Sequence, residues 1–386
     1  MGALKDRAAG EVARLDRASL RRTRRVLDSP QGPHVRDAVG ACVNFSSNDY
    51  LGLADDARLR AAAHAAIDAY GVGAGASPLV SGNLRPHEEA EARFASFVRL
   101  PRALLFSSGY AANLGILATL GSADAEIFSD RLNHASLIDG MRLARARVTV
   151  YAHSDAGDLA TRMEASNAAV KIVATDAVFS MDGDVAPLPR LLELCERFDA
   201  WLLVDDAHGI GVLGPGGRGA LAHFGIASPR IVYMATLGKA LGGYGAFVCG
   251  DENVIEWLMQ RARSYVFSTA LPPMAAAVAT AGIDILEGDD TPLPSLHRNI
   301  EAFRRECDRS GVALCSSTTA IQPILIGAPD RAVAASARLR ERGFLVPAIR
   351  PPTVPADTSR LRISLCAAHT QAEVESLARA LALAIE

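Results

Sequence analysis

Short apolar runs rich in β-branched residues alternate with helical patterns from about residue 100 onward. This alternation predicts strands linked mostly by helices, which together form a largely parallel sheet covered on both faces. Because ligands of such sheets bind beyond the carboxyl ends of the strands, polar residues just after each run are the candidates for chemistry. The seven predicted strands cover residues 103–106, 126–129, 148–151, 171–175, 201–205, 231–235 and 246–249.

The pattern changes after residue 283, where a turn at 288–292 precedes a mixed region of helices and strands. Helices are predicted over 296–309, 331–342 and 371–386, and strands over 321–326 and 361–365. We therefore expect an α/β fold with three regions: an N-terminal helix and arm (1–50), a large domain (51–285) and a smaller C-terminal α+β domain (286–386). The arm is expected to be a helix that leads into a turn-rich segment.

Composition excludes several classes of protein. With 386 residues, 49% of them hydrophobic and 22% charged, the chain is typical of a folded protein of more than one lobe. A net charge of −3 leaves no basic surplus for binding nucleic acid. The six cysteines form no Cys-x-x-Cys pair, so neither a metal site nor a redox dithiol is predicted.

One charge-free stretch, residues 264–283, has the length of a membrane span. Pro272 and Pro273 interrupt it, and the pattern therefore predicts a loop followed by a packed helix. Residues 1–25 carry charges every few positions and lack the apolar region of a secretory signal. We expect a cytoplasmic protein without a membrane partner.

Gly209, Gly211 and Gly214 match the G-x-G-x-x-G pattern of dinucleotide-binding folds directly after a predicted strand. A helix should open at these glycines, and an acidic residue should follow about twenty positions later. Here residues 215–217 are Pro-Gly-Gly, and no acidic residue occurs between Asp206 and Asp251. An oxidoreductase that uses a dinucleotide is therefore only a distant alternative.

A different set of residues in the same region favours pyridoxal phosphate (PLP). Asp205 and His208 lie at a predicted strand end, and Lys239 follows the next strand on a glycine-flanked turn. PLP requires an amine for its Schiff base and a carboxylate that keeps the pyridine nitrogen protonated. A lone lysine is usually solvated, but the placement of these residues at adjacent strand ends favours the cofactor site.

Two segments could bind the phosphate of such a cofactor. Residues 107–113, Ser-Ser-Gly-Tyr-Ala-Ala-Asn, follow the first strand and open a helix, whose backbone N–H groups can bind an anion. Ser268 and Thr269 are a second pair of hydroxyls, for which a simple helix cap is an equally good explanation.

Together these motifs resemble the α-oxoamine synthases, PLP enzymes of the aspartate aminotransferase fold (fold type I). The resemblance runs from about residue 15 to the end of the chain. It is carried by residues 44–53, 107–113, 133–136, 179–184, 204–209 and 236–239, in that order. One departure is the glycine-rich stretch 71–78, which has alanines where the family often has Ser and Gly.

The resemblance implies a role for each candidate around the cofactor. Lys239 would form the Schiff base, Asp205 would pair with the pyridinium and His208 would bond the phenolic oxygen. His134 would stack on the ring and assist at the reacting carbonyl. The remaining cofactor contacts implied by the family are Gly109, Tyr110, Ser180, Thr236, Ser268 and Thr269.

It also implies the substrates. The segment 348–355 resembles the members that join L-alanine to a pimeloyl thioester in biotin biosynthesis more than those that use glycine or serine. Arg350 would clamp the amino-acid carboxylate, with Thr353 beside it and Asn48 from the first motif. Arg362 is a weaker candidate, because a surface charge at a strand start would explain it as well.

The distal carboxylate of the pimeloyl chain would need an arginine near the N-terminus. Residues 21–25 offer four, of which the motif offset favours Arg22 and then Arg21, and the others are expected to lie on a solvated face. The acyl carrier, coenzyme A or acyl carrier protein, is left open.

The family further implies a homodimer with composite active sites, to which Ser268 and Thr269 would be contributed by the neighbouring subunit. A glycine-using α-oxoamine synthase is the nearest alternative. A non-catalytic regulator of this fold would need an added DNA-binding module, for which the forty or so residues before the first motif leave little room.

Overall fold

The computed structural model describes residues 2–385 and divides into two compact units. The larger unit comprises Leu51–Ser180 and Asp184–Leu293. The smaller unit comprises the chain up to Tyr50, the short segment Met181–Gly183 and the chain from Pro294 onward. The first fifty residues therefore group with the C-terminal part of the chain, whereas the sequence analysis treats them as a region of their own.

The strands are, in chain order, β1 (His34–Asp37), β2 (Gly40–Asn44), β3 (Arg102–Phe106), β4 (Ala125–Asp130), β5 (Arg147–Tyr151), β6 (Val170–Asp176), β7 (Ala200–Asp205), β8 (Ile231–Thr236), β9 (Ala246–Gly250), β10 (Ile321–Gly327), β11 (Phe344–Leu345), β12 (Ala348–Ile349) and β13 (Ser359–Ser364). The α-helices are α1 (Ala3–Arg17), α2 (Ala57–Tyr70), α3 (Arg85–Val98), α4 (Gly109–Leu120), α5 (Ala135–Leu143), α6 (Ala156–Glu164), α7 (Leu188–Arg197), α8 (Ala220–Phe224), α9 (Glu252–Arg261), α10 (Arg263–Val266), α11 (Pro273–Glu287), α12 (Leu293–Arg309), α13 (Pro329–Glu341) and α14 (Gln371–Ile385).

The larger unit is built on a seven-stranded sheet in the order β3-β9-β8-β7-β6-β4-β5. Only β9 runs antiparallel to its neighbours, β3 and β8, and the other pairs are parallel. The central strands are apolar on both faces because helices cover both; Leu202, Leu203 and Val204 of β7 are fully buried. The predicted α/β class and mostly parallel sheet are confirmed, and each of the seven strands predicted for this sheet lies within an observed one.

The smaller unit holds two three-stranded sheets, β1-β2-β11 and β10-β13-β12. The pair β1 and β2 occupies a segment predicted to be only turn-rich. Its strands are short, and β2 is completed by β11, where Phe344 pairs with Val43. A partner three hundred residues away leaves no local signal in the sequence, so this sheet could not be predicted from periodicity.

The charge-free stretch 264–283 contains the end of α10, a loop with the two prolines and most of α11. Helix α11 starts at Pro273 and packs through Ala276, Ala279 and Ile283, which are fully buried. The predicted loop and packed helix are thus observed, and the short α10 is an addition. Within residues 2–385, no helix combines the length and apolarity that crossing a membrane requires.

Candidate active site

Four neighbouring strands of the large sheet, β8, β7, β6 and β4, end in polar residues at one edge. These last residues are Thr236, Asp205, Asp176 and Asp130, respectively. Since the carboxyl ends of parallel strands meet at the same edge, the sheet brings a hydroxyl and three carboxylates together. Of these four residues, Asp205 and Thr236 are predicted from the sequence to contact the cofactor.

Asp205 is buried and both of its carboxylate oxygens accept hydrogen bonds. Oδ1 accepts from the Ala207 backbone N–H at 3.0 Å, and Oδ2 accepts from Asn113 Nδ2 at 2.7 Å. A carboxylate that accepts on both oxygens is held in a fixed orientation. It is therefore suited to receive the N–H of a protonated aromatic nitrogen.

Lys239 lies beside His208, with Nζ 3.1 Å from His208 Nε2. The two residues come from the turns after β8 and β7, which the parallel pairing of these strands places side by side. Thr236, at the end of β8, donates to the Ala207 carbonyl at 3.4 Å. The predicted residues of the Schiff-base region thus come together within the larger unit.

His134 caps helix α5 with its own ring. Its Nδ1 accepts from the Ser136 backbone N–H at 3.3 Å and lies 2.7 Å from Ser136 Oγ. The His134 backbone N–H donates to Asp176 Oδ2 at 2.7 Å. Burial lowers the pKa of His134, the nearby charge of Asp205 opposes this shift, and Lys239 adds to it.

Asp176 is a site residue that the sequence analysis missed. It is buried at the end of β6, and the strand register places it directly opposite Asp205. Burial and the neighbouring Asp205 raise its pKa well above the ordinary value. Its position just after the predicted strand 171–175 was an available signal, but Asp176 belonged to no recognised motif.

The start of helix α4 offers backbone N–H groups at the same edge of the larger unit. Ser108 is its N-cap and accepts from the Ala111 N–H at 3.1 Å, and Gly109 is its first residue. A Cβ on Gly109 would lie only 2.5 Å from Thr236 Cγ2, so no larger residue fits there without a shift. The next residue, Tyr110, is 44% exposed, and its hydroxyl bonds Asp139.

The other predicted cofactor residues, Ser268, Thr269 and Ser180, also lie in the larger unit. Ser268 and Thr269 line one small cavity together with Ser107, all from the same chain. Ser180 lies in the loop that follows β6, just before the chain enters the smaller unit.

These features fit PLP. A carboxylate with oriented oxygens, a lysine amine and a helix that starts at a glycine are the groups that a pyridinium, an aldehyde and a phosphate require, respectively. Asp205, Lys239 and Gly109 would hold these three parts of the cofactor, in that order.

In the smaller unit, two predicted substrate residues contact each other. Arg22 Nη2 donates to Thr353 Oγ1 at 2.8 Å. Arg350 donates to the backbone carbonyls of Ser19 and Arg21, and therefore anchors the segment that carries Arg22. Burial, and then the charge of Arg22, lower the pKa of Arg350. Arg21 itself pairs with Asp16 at 3.0 Å.

Arg362 is the centre of a second group of hydrogen-bonded side chains in the smaller unit. Its guanidinium donates to Asn48 Oδ1 at 3.1 Å, to Ser364 Oγ at 2.8 Å and to the Tyr50 hydroxyl at 3.3 Å. Arg362 is only 5% exposed and lies within β13. The interpretation of Arg362 as a surface charge is therefore wrong, and its link to Asn48 makes it a stronger candidate than the sequence suggested.

The G-x-G-x-x-G pattern forms a compact turn rather than the start of a helix. A Cβ on Gly209 would collide with the buried carboxylate of Asp206, which accepts from the Tyr233 hydroxyl and the Ala220 N–H at 2.7 Å each. This glycine is thus required by packing against Asp206, which explains it without a dinucleotide.

Comparisons with known proteins agree with the geometry. The chain matches the family "Aminotransferase class I and II" over residues 41–381. It is 53% identical over 379 residues to the 8-amino-7-oxononanoate synthase of Aromatoleum aromaticum, with 98% of each chain covered.

Two solved structures show the same fold. A structure of SPT with a PLP internal aldimine superposes with a TM-score of 0.93 at 28% identity, covering 100% of this chain and 98% of the other. The 8-amino-7-oxononanoate synthase of Francisella tularensis superposes with a TM-score of 0.77 at 33% identity, covering 89% and 97%.

Proposed function

The chain belongs to the class I and II aminotransferases and, within them, to the 8-amino-7-oxononanoate synthases, and from this we propose that it condenses L-alanine with a pimeloyl thioester. It is a PLP-dependent acyltransferase of biotin biosynthesis. In the reaction a C–C bond forms between alanine Cα and the thioester carbonyl carbon. The Cα–H and C–S bonds break, the alanine carboxylate leaves as CO₂, and a proton returns to Cα to give 8-amino-7-oxononanoate and the free thiol.

The observation that carries this proposal is the joint placement of Asp205, His208 and Lys239 at the ends of adjacent strands. PLP, when bound, supplies the electron sink that makes the Cα proton and carboxylate of alanine labile. Lys239 would hold the cofactor through its amine, and Asp205 would keep the pyridine nitrogen protonated. The helix start at Gly109 would receive the phosphate.

Proton transfer at Cα falls to Lys239. Its Nζ lies 3.1 Å from His208 Nε2, which can accept from the ammonium form and so orient the amine. An amine at this position can both exchange with the substrate and take the Cα proton. His134 follows β4, which β6 separates from β7 in the sheet, and would face the carbonyl of the incoming acyl donor.

Substrate carboxylates would be received by arginines of the smaller unit. Arg350 and the buried Arg362 are the candidates for the alanine carboxylate, because guanidinium groups bind carboxylates in bidentate geometry. Arg22, held by Thr353, would meet the distal carboxylate of the pimeloyl chain.

We also propose that the protein is located in the cytoplasm, as predicted from the sequence.

A product assay tests the function. Purified enzyme with PLP is given L-alanine and pimeloyl-coenzyme A, and the amino ketone product is identified by mass spectrometry. Parallel reactions contain glycine or serine with acetyl- or succinyl-coenzyme A. A product from glycine that forms faster than the alanine product would assign the chain to another α-oxoamine synthase activity.

The same assay identifies the carrier. We propose that either coenzyme A or acyl carrier protein delivers the pimeloyl group, since the recognised part of the donor is the dicarboxylate chain. Comparing kcat/KM for pimeloyl-coenzyme A and pimeloyl-acyl carrier protein at equal concentration shows which carrier the enzyme prefers.

We also propose a homodimer with composite active sites. Several apolar side chains of the larger unit are exposed in the single chain, among them Phe267 at 71% and Tyr244 at 60%. Phe267 directly precedes Ser268 and Thr269, the pair expected to reach the cofactor of the neighbouring subunit. Burial of these side chains in a dimer would remove apolar surface from water.

A further inference from the structure

The ring of His134 has a hydrogen-bond acceptor at Nδ1. Two groups of Ser136 approach this nitrogen, the backbone N–H at 3.3 Å and the hydroxyl oxygen at 2.7 Å. The backbone N–H can only donate, so Nδ1 must accept and cannot itself carry a proton. The capping geometry of helix α5 therefore restricts the protonation state of a candidate active-site histidine.

The Ser136 hydroxyl is oriented in turn by Asn113. The amide nitrogen Nδ2 of this fully buried residue lies 2.9 Å from Ser136 Oγ and 2.7 Å from Asp205 Oδ2. An amide oxygen facing a carboxylate at this distance would be repelled, and this fixes the amide with its nitrogen toward Asp205. Its two hydrogens then serve Asp205 and Ser136, and the Ser136 hydroxyl is left to donate to His134.

We propose that Asn113 and Ser136 are positioning residues that transmit the orientation of Asp205 to His134 and fix His134 in the tautomer with its proton on Nε2. The proposal rests on the proposed function for the identity of the acyl donor. In this tautomer His134 offers an N–H donor to the carbonyl oxygen of the thioester, where negative charge develops during the attack by Cα.

The charged surroundings of His134 are consistent with a neutral ring. Burial is the largest influence on the pKa of His134 and lowers it. The negative charge of Asp205 raises this pKa, and the positive charge of Lys239 lowers it. Asp176 contacts the backbone of His134 rather than its ring. A neutral ring with the proton on Nε2 can donate but cannot remove a proton through that nitrogen, so proton removal at Cα is left to Lys239.

The tautomer can be observed directly. The holoenzyme is labelled with ¹⁵N-histidine, and the ring nitrogens are recorded by NMR at neutral pH, with the His134 signals identified by their loss in His134→Asn. We expect an unprotonated Nδ1 and a protonated Nε2. A protonated Nδ1 in the wild type would overturn the proposal, and His134→Asn serves only to assign the signals.

The relay is tested with Ser136→Ala and Asn113→Ala. Each variant should shift the His134 signals toward a mixture of tautomers, and should lower kcat by about tenfold with little change in the KM for alanine. Thr119→Val is the matched control. Thr119 lies on helix α4, as Asn113 does, and its Oγ1 is a buried hydroxyl without a hydrogen-bond partner within residues 2–385. Unaltered His134 signals in both relay variants would contradict the relay.

These outcomes separate the relay from the proposed function. If alanine and pimeloyl-coenzyme A give no product, the proposed function fails, whereas the tautomer of His134 in the holoenzyme is still measured. If the product forms and the tautomer differs from expectation, the relay alone fails.

Discussion

Hydrogen bonds and burial fix the orientation and the electrostatic surroundings of single acidic residues in the larger unit. Asp205 is held as an oriented carboxylate because a backbone N–H and an amide occupy its two oxygens. Asp176, opposite it, has a raised pKa because burial and the neighbouring charge disfavour a second carboxylate. Two acids of the same type at adjacent strand ends thus have different surroundings, because two N–H donors hold Asp205 while burial next to Asp205 raises the pKa of Asp176.

At this scale, Lys239→Ala is expected to abolish turnover and the covalent attachment of the cofactor. The sequence contains two other lysines, Lys5 and Lys171, which provide matched controls. Borohydride reduction followed by peptide mass spectrometry should find the reduced cofactor on Lys239 in the wild type and in Lys171→Ala. Wild-type-like activity in Lys239→Ala would contradict the proposed role of Lys239 in holding the cofactor and taking the Cα proton.

A second residue-scale prediction concerns Arg22. Arg22→Ala should raise the KM for the pimeloyl donor and narrow discrimination against a donor without the distal carboxylate by about 1 to 3 kcal/mol, because a charged hydrogen bond is lost. The KM for alanine should change little. Thr353→Val should have a smaller effect of the same kind, since Thr353 orients Arg22.

The exposed Arg24→Ala is the control for this experiment, because it removes the same charge from the same segment. Pimeloyl kinetics that are unchanged in Arg22→Ala, or changed equally by Arg24→Ala, would remove the specific role of Arg22.

At the scale of elements, helix starts lie so close to strand ends that the size of the side chains between them is restricted. Helix α4 begins at Gly109 against the end of β8, and helix α5 begins at the ring of His134. His153, just after β5, links the end of β4 to the loop that follows β6. This residue bonds Asp130 at 3.0 Å and Asp184 at 2.9 Å.

The close approach at Gly109 gives a prediction with a built-in rescue. Gly109→Ala should weaken PLP binding by about tenfold, because the new Cβ would press on Thr236 Cγ2 and displace the helix start. Thr236→Ser removes that methyl group and keeps the hydroxyl. The double variant should therefore recover most of the affinity, measured by titration of the apoenzyme with PLP. A double variant as weak as Gly109→Ala would exclude this steric explanation.

The His153 contacts predict a pH-dependent contribution to stability. Burial lowers the pKa of His153, but the two carboxylates outweigh it and raise the pKa to about 10. The pKa of a histidine in the unfolded chain is about 6.5. The stabilisation of the fold by protonated His153 is therefore complete below that pH and is lost as the pH rises through about 10.

His153→Gln should therefore reduce the free energy of unfolding by about 2 kcal/mol at pH 6, after allowance for solvent screening, and by less as the pH approaches 10. Chemical denaturation at several pH values measures this difference. His64→Gln, at an exposed position, is the control. An equal deficit at pH 6 and pH 10 would assign the effect to packing instead of charge.

At the scale of the whole molecule, the proposed dimer explains why the larger unit leaves apolar side chains in solvent. Large apolar patches on a folded chain mark surfaces that a partner covers. Because Phe267 lies next to Ser268 and Thr269, such an interface would connect subunit contact with the cofactor site.

We accordingly expect activity to fall with dissociation. Light scattering should show a dimer at micromolar concentration. Phe267→Glu should shift the chain toward monomer and lower activity, because a charge would be placed in the interface. Val12→Glu, an exposed position on α1, is the control. A fully active monomer at high dilution would contradict the composite site.

The sequence by itself determined the strands of the large sheet and the residues at their ends. The runs that form β7 and β8 are continuous and apolar, and Asp205, His208 and Lys239 follow them within a few positions. Periodicity and strand-end position are local properties, and a parallel sheet converts them into proximity without further information. These residues favoured PLP by their chemistry, and the family resemblance then supplied the substrates.

The tertiary structure decided what depends on partners distant in sequence. Strand β2 needs β11, Arg362 is buried against Asn48 and Tyr50, and Asn113 bridges Asp205 and Ser136. Each of these residues looks like an ordinary polar or turn residue in its own segment. Burial and hydrogen-bond direction are set by neighbours that only the folded chain supplies, and for this reason the buried arginine and the orientation of His134 could not be read from the sequence.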